Sequence, residues 1–246
     1  MDSKDEMLGR IRAALGRAKP QRPQPLAAFT SRPVAADCAR LAHQFQTEVE
    51  KIGGHVTFAT SDHEVTRCLE GLMPAAGGVV AAVSDSATAS RMGLRDWFAG
   101  RNASMVSTLG EFDRSGASSA GVSFEDNSPA EPLMERYKKA LIDASMGVTS
   151  ADYALADTGT LVLVSGGEQH RLISLVPPVH ICLLDKSRIL PNLADLLTRV
   201  QGESYADGKA PLAMTFITGP SRTADIELTL TMGVHGPREL HVIIHS

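Results

Sequence analysis

The amino-acid sequence predicts an α/β fold with a mainly parallel central sheet. Three observations carry that reading. Short apolar runs alternate with amphipathic stretches from residue 34 onwards, the pattern of layered sheet and helix. Val79-Val80-Ala81-Ala82-Val83 is continuously apolar, as strands buried on both faces of a parallel sheet are. The last forty residues read as strand, tight polar loop, helix and strand, the unit from which such sheets are built.

The elements follow in order. Met7, Leu8, Ile11 and Leu15 stand at helical spacing within residues 4–17, with Arg10, Arg12 and Arg17 between them. The stripe is narrow and lacks Trp or Phe, so it suits packing on the main body or a partner better than a membrane surface. Three prolines within Lys19–Pro25 make an extended linker. Residues 1–30 therefore read as an amphipathic helix plus Pro-rich linker, and residues 31–246 as a single domain. Val34, Leu41, Phe45, Val49 and Ile52 predict a helix over 34–52, stopped by Gly53-Gly54. His55–Ala59 is a short strand, and Ser61 with Glu64 has capping-box spacing for a helix over 62–72. After the 79–83 strand, Ser84-Asp85-Ser86 caps a helix reaching Phe98. Met105–Leu109 and Gly121–Phe124 are strand candidates, separated by the flexible connection 115–119.

A helix is expected over 129–145, and Ser150 is read as the cap of a short helix through Ala156. Asp157–Thr160 is a turn, Leu161–Val164 a strand, and Arg171–Val176 a second extended run, so the two read as a hairpin. Val179–Leu184 is a buried strand, followed by a helix near Leu190–Val200 and a loop over 201–211. Ala213–Ile217 reads as a buried strand, Ile226–Met232 as a helix closed by Gly233, and Leu240–Ile244 as the last strand.

Composition excludes several classes. Net charge is −4 and aromatics are 4%, so neither a basic field nor stacking platforms for nucleic acid are present. No apolar stretch is long enough to span a membrane. The N-terminus is charged from Asp2 to Glu6 with no long apolar run behind it, unlike a signal peptide. Cys38, Cys68 and Cys182 are far apart and no Cys-x-x-Cys occurs. That argues against a disulfide framework or a cluster ligated by this chain, and fits a reducing cytoplasm.

No standard catalytic motif is present, and three loops remain as candidates. Gly219, Pro220, Ser221, Arg222, Thr223 and Asp225 precede the expected helix. They suit an anion cradle at a helix start, or a capped turn in which Arg222 pairs with Asp225 or Glu227. Thr158, Gly159 and Thr160 offer hydroxyls beside a turn, which turn chemistry alone explains equally. Glu168, His170 and His180 supply acid–base groups and Arg171 a carboxylate partner. Without spatial convergence in view, the favoured reading is a solvated hairpin tip for residues 168–170 and a hydrogen-bonded core histidine for His180. His235 sits in the Gly233–Pro237 turn, and His241 and His245 share one face of the last strand. Nothing fixes these histidines into a metal site, so no metal is assigned.

Four stretches in order carry a resemblance: Ala156–Leu161, Arg171–Ile181, Thr218–Glu227 and Gly233–Pro237. Together they resemble the lactate-utilisation (LUD) domain family, closest to its stand-alone LutC/YkgG type. The resemblance is strong over residues 147–245 and general over 31–146. It implies a three-layer α/β/α architecture akin to the NagB/RpiA/CoA transferase-like fold. It also implies work alongside iron–sulfur lactate-utilisation subunits in bacterial oxidation of L-lactate to pyruvate. Under that expectation this chain binds no cofactor of its own, and the clusters sit on its partners. The resemblance carries no catalytic residue onto this chain. The alternative is a stand-alone enzyme or sensor of a small anionic metabolite, carboxylate or phosphorylated. There Gly219–Thr223 would hold the anion, Arg171 or Arg222 would pair with it, and Glu168, His170 or His180 would move protons.

Overall fold

A computed structural model of the chain describes residues 6–10, 13, 37–73, 79–101, 103–106, 133–165, 170–204, 213–224 and 230–246. Residues 1–32 and 33–246 form two compact units. In the first, residues 6–10 and 13 are helical, inside the helix expected over 4–17. The proline linker, the 115–119 connection and the 121–124 strand candidate lie outside the described residues.

The second unit is built on a six-stranded sheet. Its strands are β1 (His55–Ala59), β2 (Val80–Val83), β3 (Ser104–Val106), β4 (Met146–Ser150), β7 (Val179–Asp185) and β12 (Glu239–His245). Their order is β1-β12-β7-β4-β2-β3, and every neighbouring pair is parallel. The largely apolar runs at 79–83, 179–184 and 240–244 thus supply β2, β7 and β12, because strands covered on both faces read as near-continuous apolar runs.

Helices cover both faces. α2 (Asp62–Leu72) and α4 (Leu94–Ala99) bury Val65, Leu69, Leu94 and Phe98 against Ala81, Val83, Met146, Val148, Ile181, Leu183 and Ile243. On the other face, α1 (Cys38–Lys51) sets Leu41, Phe45 and Val49 against Cys182, Leu184, Val242 and Ile244. Beside it, α5 (Leu133–Ile142) packs Tyr137 and Leu141 against Ala82 and Val106. Full burial of a side chain such as Phe45 or Leu69 contributes about 1.5–3 kcal/mol, which is why these stripes, rather than helix propensity, hold the layers together.

Local chemistry sets the helix ends. The Asp37 carboxylate accepts from the Ala39 and Arg40 amides at 3.0 and 3.4 Å, so α1 begins four residues later than the stripe from Val34 suggests. Ser61 caps α2 through the Glu64 amide, while the Glu64 carboxylate reaches back to the Thr60 amide at 2.6 Å rather than to that of Ser61. The single helix expected between residues 86 and 98 is two, α3 (Ala87–Arg91) and α4. Gly93 breaks it, with φ +60 in the left-handed region that a right-handed helix cannot include.

A second sheet, ordered β8-β5-β6-β9, contains β5 (Tyr153–Leu155), β6 (Thr160–Ser165), β8 (Ile189–Leu190) and β9 (Ala213–Ile217). One of its faces joins the α1 core through Ala154, Leu161 and Leu163. Its other face packs Tyr153, Leu155 and Val162 on Leu196 and Val200 of α7 (Leu193–Ser204).

Several expectations change here. Ser150 caps no helix, since β4 runs through it and Tyr153–Leu155 pairs with β6 and β8. Arg171–Val176 is no strand: α6 spans His170–Leu175, and β6 pairs with β5 and β9 instead. Leu172, Ile173 and Val176 all face one apolar cluster, a helical spacing inside a run too short for periodicity to decide. Ala213–Ile217 is an edge strand of the second sheet with Phe216 exposed, not part of the parallel sheet. No helix follows it among the described residues. β10 (Arg222–Ala224) and β11 (Leu230–Met232) pair antiparallel, and Gly233 at φ +75 follows the second of these strands. The run Leu228-Thr229-Leu230-Thr231-Met232 alternates with the period of two that a strand requires.

Candidate functional site

Three of the four motif stretches converge on one place, the C-terminal end of α1. Gly159, at φ +64, lies against α1 so closely that a Cβ there would stand 2.7 Å from the Val49 nitrogen. Gly219, at φ +85, fits against the Ile52 side chain. Arg222 donates from Nη2 to the Ile52 carbonyl, beside Gly53. It thereby satisfies one of the carbonyls that a helix end leaves open. The hydroxyls of Thr158, Thr160 and Thr218 form a chain, each link 2.8 Å. Ser221 donates its amide to the Pro237 carbonyl at 2.8 Å and accepts from the Gly233 amide at 3.0 Å. Pro220 is buried, whereas His235 is exposed in its turn.

The fourth stretch joins through the backbone: the Arg238 amide donates to the Pro178 carbonyl at 2.8 Å. Gly147 of β4 lets α6 approach, because a Cβ there would collide with the Ile173 carbonyl. Arg171 is exposed on α6. Thr223 is the middle residue of β10, and His170 is the first residue of α6. Glu168, Asp225 and Glu227 lie outside the described residues.

His180 is a core residue. Its Nε2 stands 2.8 Å from the Thr149 hydroxyl, and its Nδ1 has no partner among the described residues. Burial pushes its pKa down to about 4, so the ring is neutral near pH 7. His241 stacks on His55 at 4.9 Å, while His245 is buried at the far end of the same strand. No group of three or more His, Cys, Asp or Glu among the described residues could hold a metal ion. Cys182 is buried, and burial pushes its thiol up to about 12.

The convergent motifs therefore gather where α1 hands the chain to β1, near the N-terminal ends of β1, β7 and β12. In parallel sheets ligands sit at the opposite edge, outside the strand C-termini and at a topological switch point. Here β2 leads through α3 and α4 to β3 on one side, and β4 leads towards β7 on the other. The switch point is between β2 and β4. The hydroxyls of Ser86 and Ser150 meet across it at 2.7 Å. Ser84, just past β2, is 2% exposed, and its hydroxyl has no partner among the described residues. Ser84, Asp85, Ser90 and Arg95 line a cleft of about 40 Å³ whose apolar lining includes Val83 and Leu94. Further along this edge burial lowers the His245 pKa, with Asp185 opposing that shift and Arg91 adding to it. Sequence reasoning took Ser84-Asp85-Ser86 only as a helix cap. The available signal was three polar residues directly after a fully apolar strand; their meaning depends on strand order.

The LUD domain family matches residues 42–245. The chain belongs to the LUD domain family. Among relatives, lactate utilization protein C of Halalkalibacterium halodurans is 35% identical over 122 residues, 49% of this chain and 51% of that protein. Lactate utilization protein C of Geobacillus kaustophilus is 38% identical over 101 residues, 41% of this chain and 42% of the other. Uncharacterized protein YkgG of Escherichia coli is 40% identical over 104 residues, 42% of this chain and 45% of its own length. The chain spans about half the length of the curated relatives it matches. A crystal structure of a DUF162 family protein from Deinococcus radiodurans aligns with a TM-score of 0.52 at 18% identity, covering 86% of this chain and 99% of that one. That likeness bears on the fold: the LUD domain is an α/β layered structure around a parallel sheet. No helix among the described residues is long and apolar enough to cross a membrane.

Proposed function

We propose that this LUD-domain chain is an accessory subunit of a bacterial iron–sulfur system that oxidises L-lactate to pyruvate, and that it works in the cytoplasm. The observation that carries the reading is the family match over residues 42–245 together with relatives named lactate utilization protein C. Oxidising a 2-hydroxy acid to a 2-oxo acid releases two electrons and two protons. The electrons need an acceptor, and the three scattered cysteines of this sequence supply no cluster ligand set. The redox centres are therefore assigned to partner subunits. In this reading the motif residues around Gly159, Gly219 and Arg222 act as framework, holding α1 and β1 in register so that the domain presents a fixed surface.

Deletion of the gene in its host tests the proposal. Growth on L-lactate as sole carbon source should fail and return with the gene in trans, while growth on pyruvate stays normal. Unimpaired growth on L-lactate contradicts the proposal.

A further inference from the structure

We propose that the open edge of β1 pairs antiparallel with β1 of a second copy of this chain, joining two six-stranded sheets across a two-fold axis at Thr57. The inference goes beyond the subunit reading and does not rest on it.

The backbone gives the first argument. β1 ends the order β1-β12-β7-β4-β2-β3, and each of its residues is in register with β12 on one side. Among the described residues no backbone hydrogen bond reaches its other side. An edge left this way presents a row of amides and carbonyls, which fits one kind of occupant, an extended strand. Edges that stay single are guarded by charge, proline, a bulge or shortness. At the opposite edge of the sheet, β3 is three residues long and largely buried. β1 has five residues, none of them Lys, Arg, Asp, Glu or Pro, and an unbroken register along β12.

Its side chains give the second. His55, Thr57 and Phe58 are exposed, Phe58 by 39%. α1 sets its apolar stripe over β7 and β12, covers Val56 in part, and reaches Phe58 with the His43 ring at 5.2 Å. The flank of α1 therefore leaves an aromatic side chain in solvent beside an open edge.

The strand's own order of residues selects the occupant. An antiparallel pair centred on Thr57 sets Val56 against Phe58, His55 against Ala59, and Thr57 against its copy. Aromatic with β-branched and Thr with Thr are favourable cross-strand pairs. No two ionisable side chains of the strand then stand opposite each other, and the whole of β1 is paired. Moving the centre to Val56 or Phe58 leaves residues at one end of each strand unpaired. Such a contact uses the same patch on both copies, so it closes at two. One strand pair with its flanks is a small interface, and the dimer should dissociate on dilution.

Sedimentation velocity of the full-length chain over a wide concentration series tests the proposal. The mass should rise towards that of two copies and stop there. Thr57 is exposed, so Thr57→Arg and Thr57→Glu should keep the fold, which circular dichroism checks. Each variant alone brings like charges together at the axis and should self-associate about tenfold or more weakly. An equal mixture of the two sets Arg against Glu and should recover the dimer. Hydrogen exchange of the parent gives an independent reading, since amides within residues 55–59 should gain protection as concentration rises. A parent that stays monomeric, or whose β1 amides exchange alike at every concentration, overturns the proposal. So do single variants that associate as tightly as the parent, which would put the contact elsewhere, as at the edge strand β9 with its exposed Phe216. A mixture no tighter than its components overturns the two-fold at Thr57. These measurements need no partner subunit, so their failure leaves the growth experiment standing, and a failed growth experiment leaves them standing.

Discussion

Replacing Gly159 by alanine separates a structural motif from a functional one. The backbone there has φ +64, and an added Cβ would lie 2.7 Å from the Val49 nitrogen, 2.9 Å from the Glu48 carbonyl carbon and 3.1 Å from the Glu48 Cβ. The first two are backbone atoms inside α1, which cannot swing aside as a side-chain tip can. A left-handed conformation costs a non-glycine residue about 1–2 kcal/mol. Forcing a methyl into a packed contact adds about 1–3 kcal/mol. Together they predict about 2–5 kcal/mol of lost stability. For a domain of this size that lowers the melting temperature by about 5–15 °C. Urea and thermal unfolding of the purified variant measure it. A loss below about 0.5 kcal/mol, the scale of an ordinary surface change, would refute the close approach to α1. Unchanged stability with abolished growth on L-lactate would move Gly159 from framework to function.

Other perturbations follow from the same geometry. Arg222→Ala removes the donor to the Ile52 carbonyl and should cost about 0.5–1.5 kcal/mol in denaturant unfolding. Arg222→Lys should recover part of that loss, and an Arg222→Ala variant as stable as the parent contradicts the clamp. Thr160→Val cuts both links of the Thr158–Thr160–Thr218 hydroxyl chain; a loss of about 1–3 kcal/mol is expected, with no change signifying that the chain is incidental. His180 makes stability depend on pH. The unfolded ring takes up a proton below 6.5 and the folded ring only below about 4, so the contribution is complete above pH 6.5 and is lost as pH falls towards 4. That gap corresponds to about 3 kcal/mol. Unfolding measured across this range should show the slope, and His180→Gln should flatten most of it. A wild-type profile without the slope would show that the buried ring is not held neutral.

Much of the fold was legible because burial writes itself into composition. β2, β7 and β12 are covered on both faces, so their apolar runs had no competing reading. α1 showed an apolar stripe ended by Gly53-Gly54, and α2 a capping-box spacing. Three segments misled for identifiable reasons. Arg171–Val176 has four apolar residues in six, too short a run for periodicity to separate strand from helix, and its close approach to Gly147 is a contact far away in sequence. Ile226–Met232 was read through Gly233 as a helix end, although its Thr–Leu alternation is strand-like. Ser150 has capping chemistry, but its hydroxyl pairs with Ser86 across the sheet.

The candidate site was legible only in part. The motif glycines were visible as turn residues, and the structure supplies the close approaches that explain Gly159 and Gly219. The alternative assigned to His180 as a hydrogen-bonded core histidine matches its place against Thr149. For Arg222 the sequence left open an anion or the nearby Asp225 and Glu227, which lie outside the described residues; among the described residues it donates to the Ile52 carbonyl, 170 positions earlier. The cleft at Ser84 was invisible because a switch point is a property of strand order, and the order β1-β12-β7-β4-β2-β3 does not follow from the order of elements along the chain.

The functional account turns on where the redox centres are. Purifying the tagged chain from its host during growth on L-lactate, then measuring iron and acid-labile sulfide in the eluate before and after a high-salt wash, tests that directly. The account predicts iron and sulfide carried by co-eluting partner subunits and lost with them, leaving this chain without either. Iron and sulfide that stay with the chain once the partners are gone, or an eluate with no partner and no iron, would contradict it.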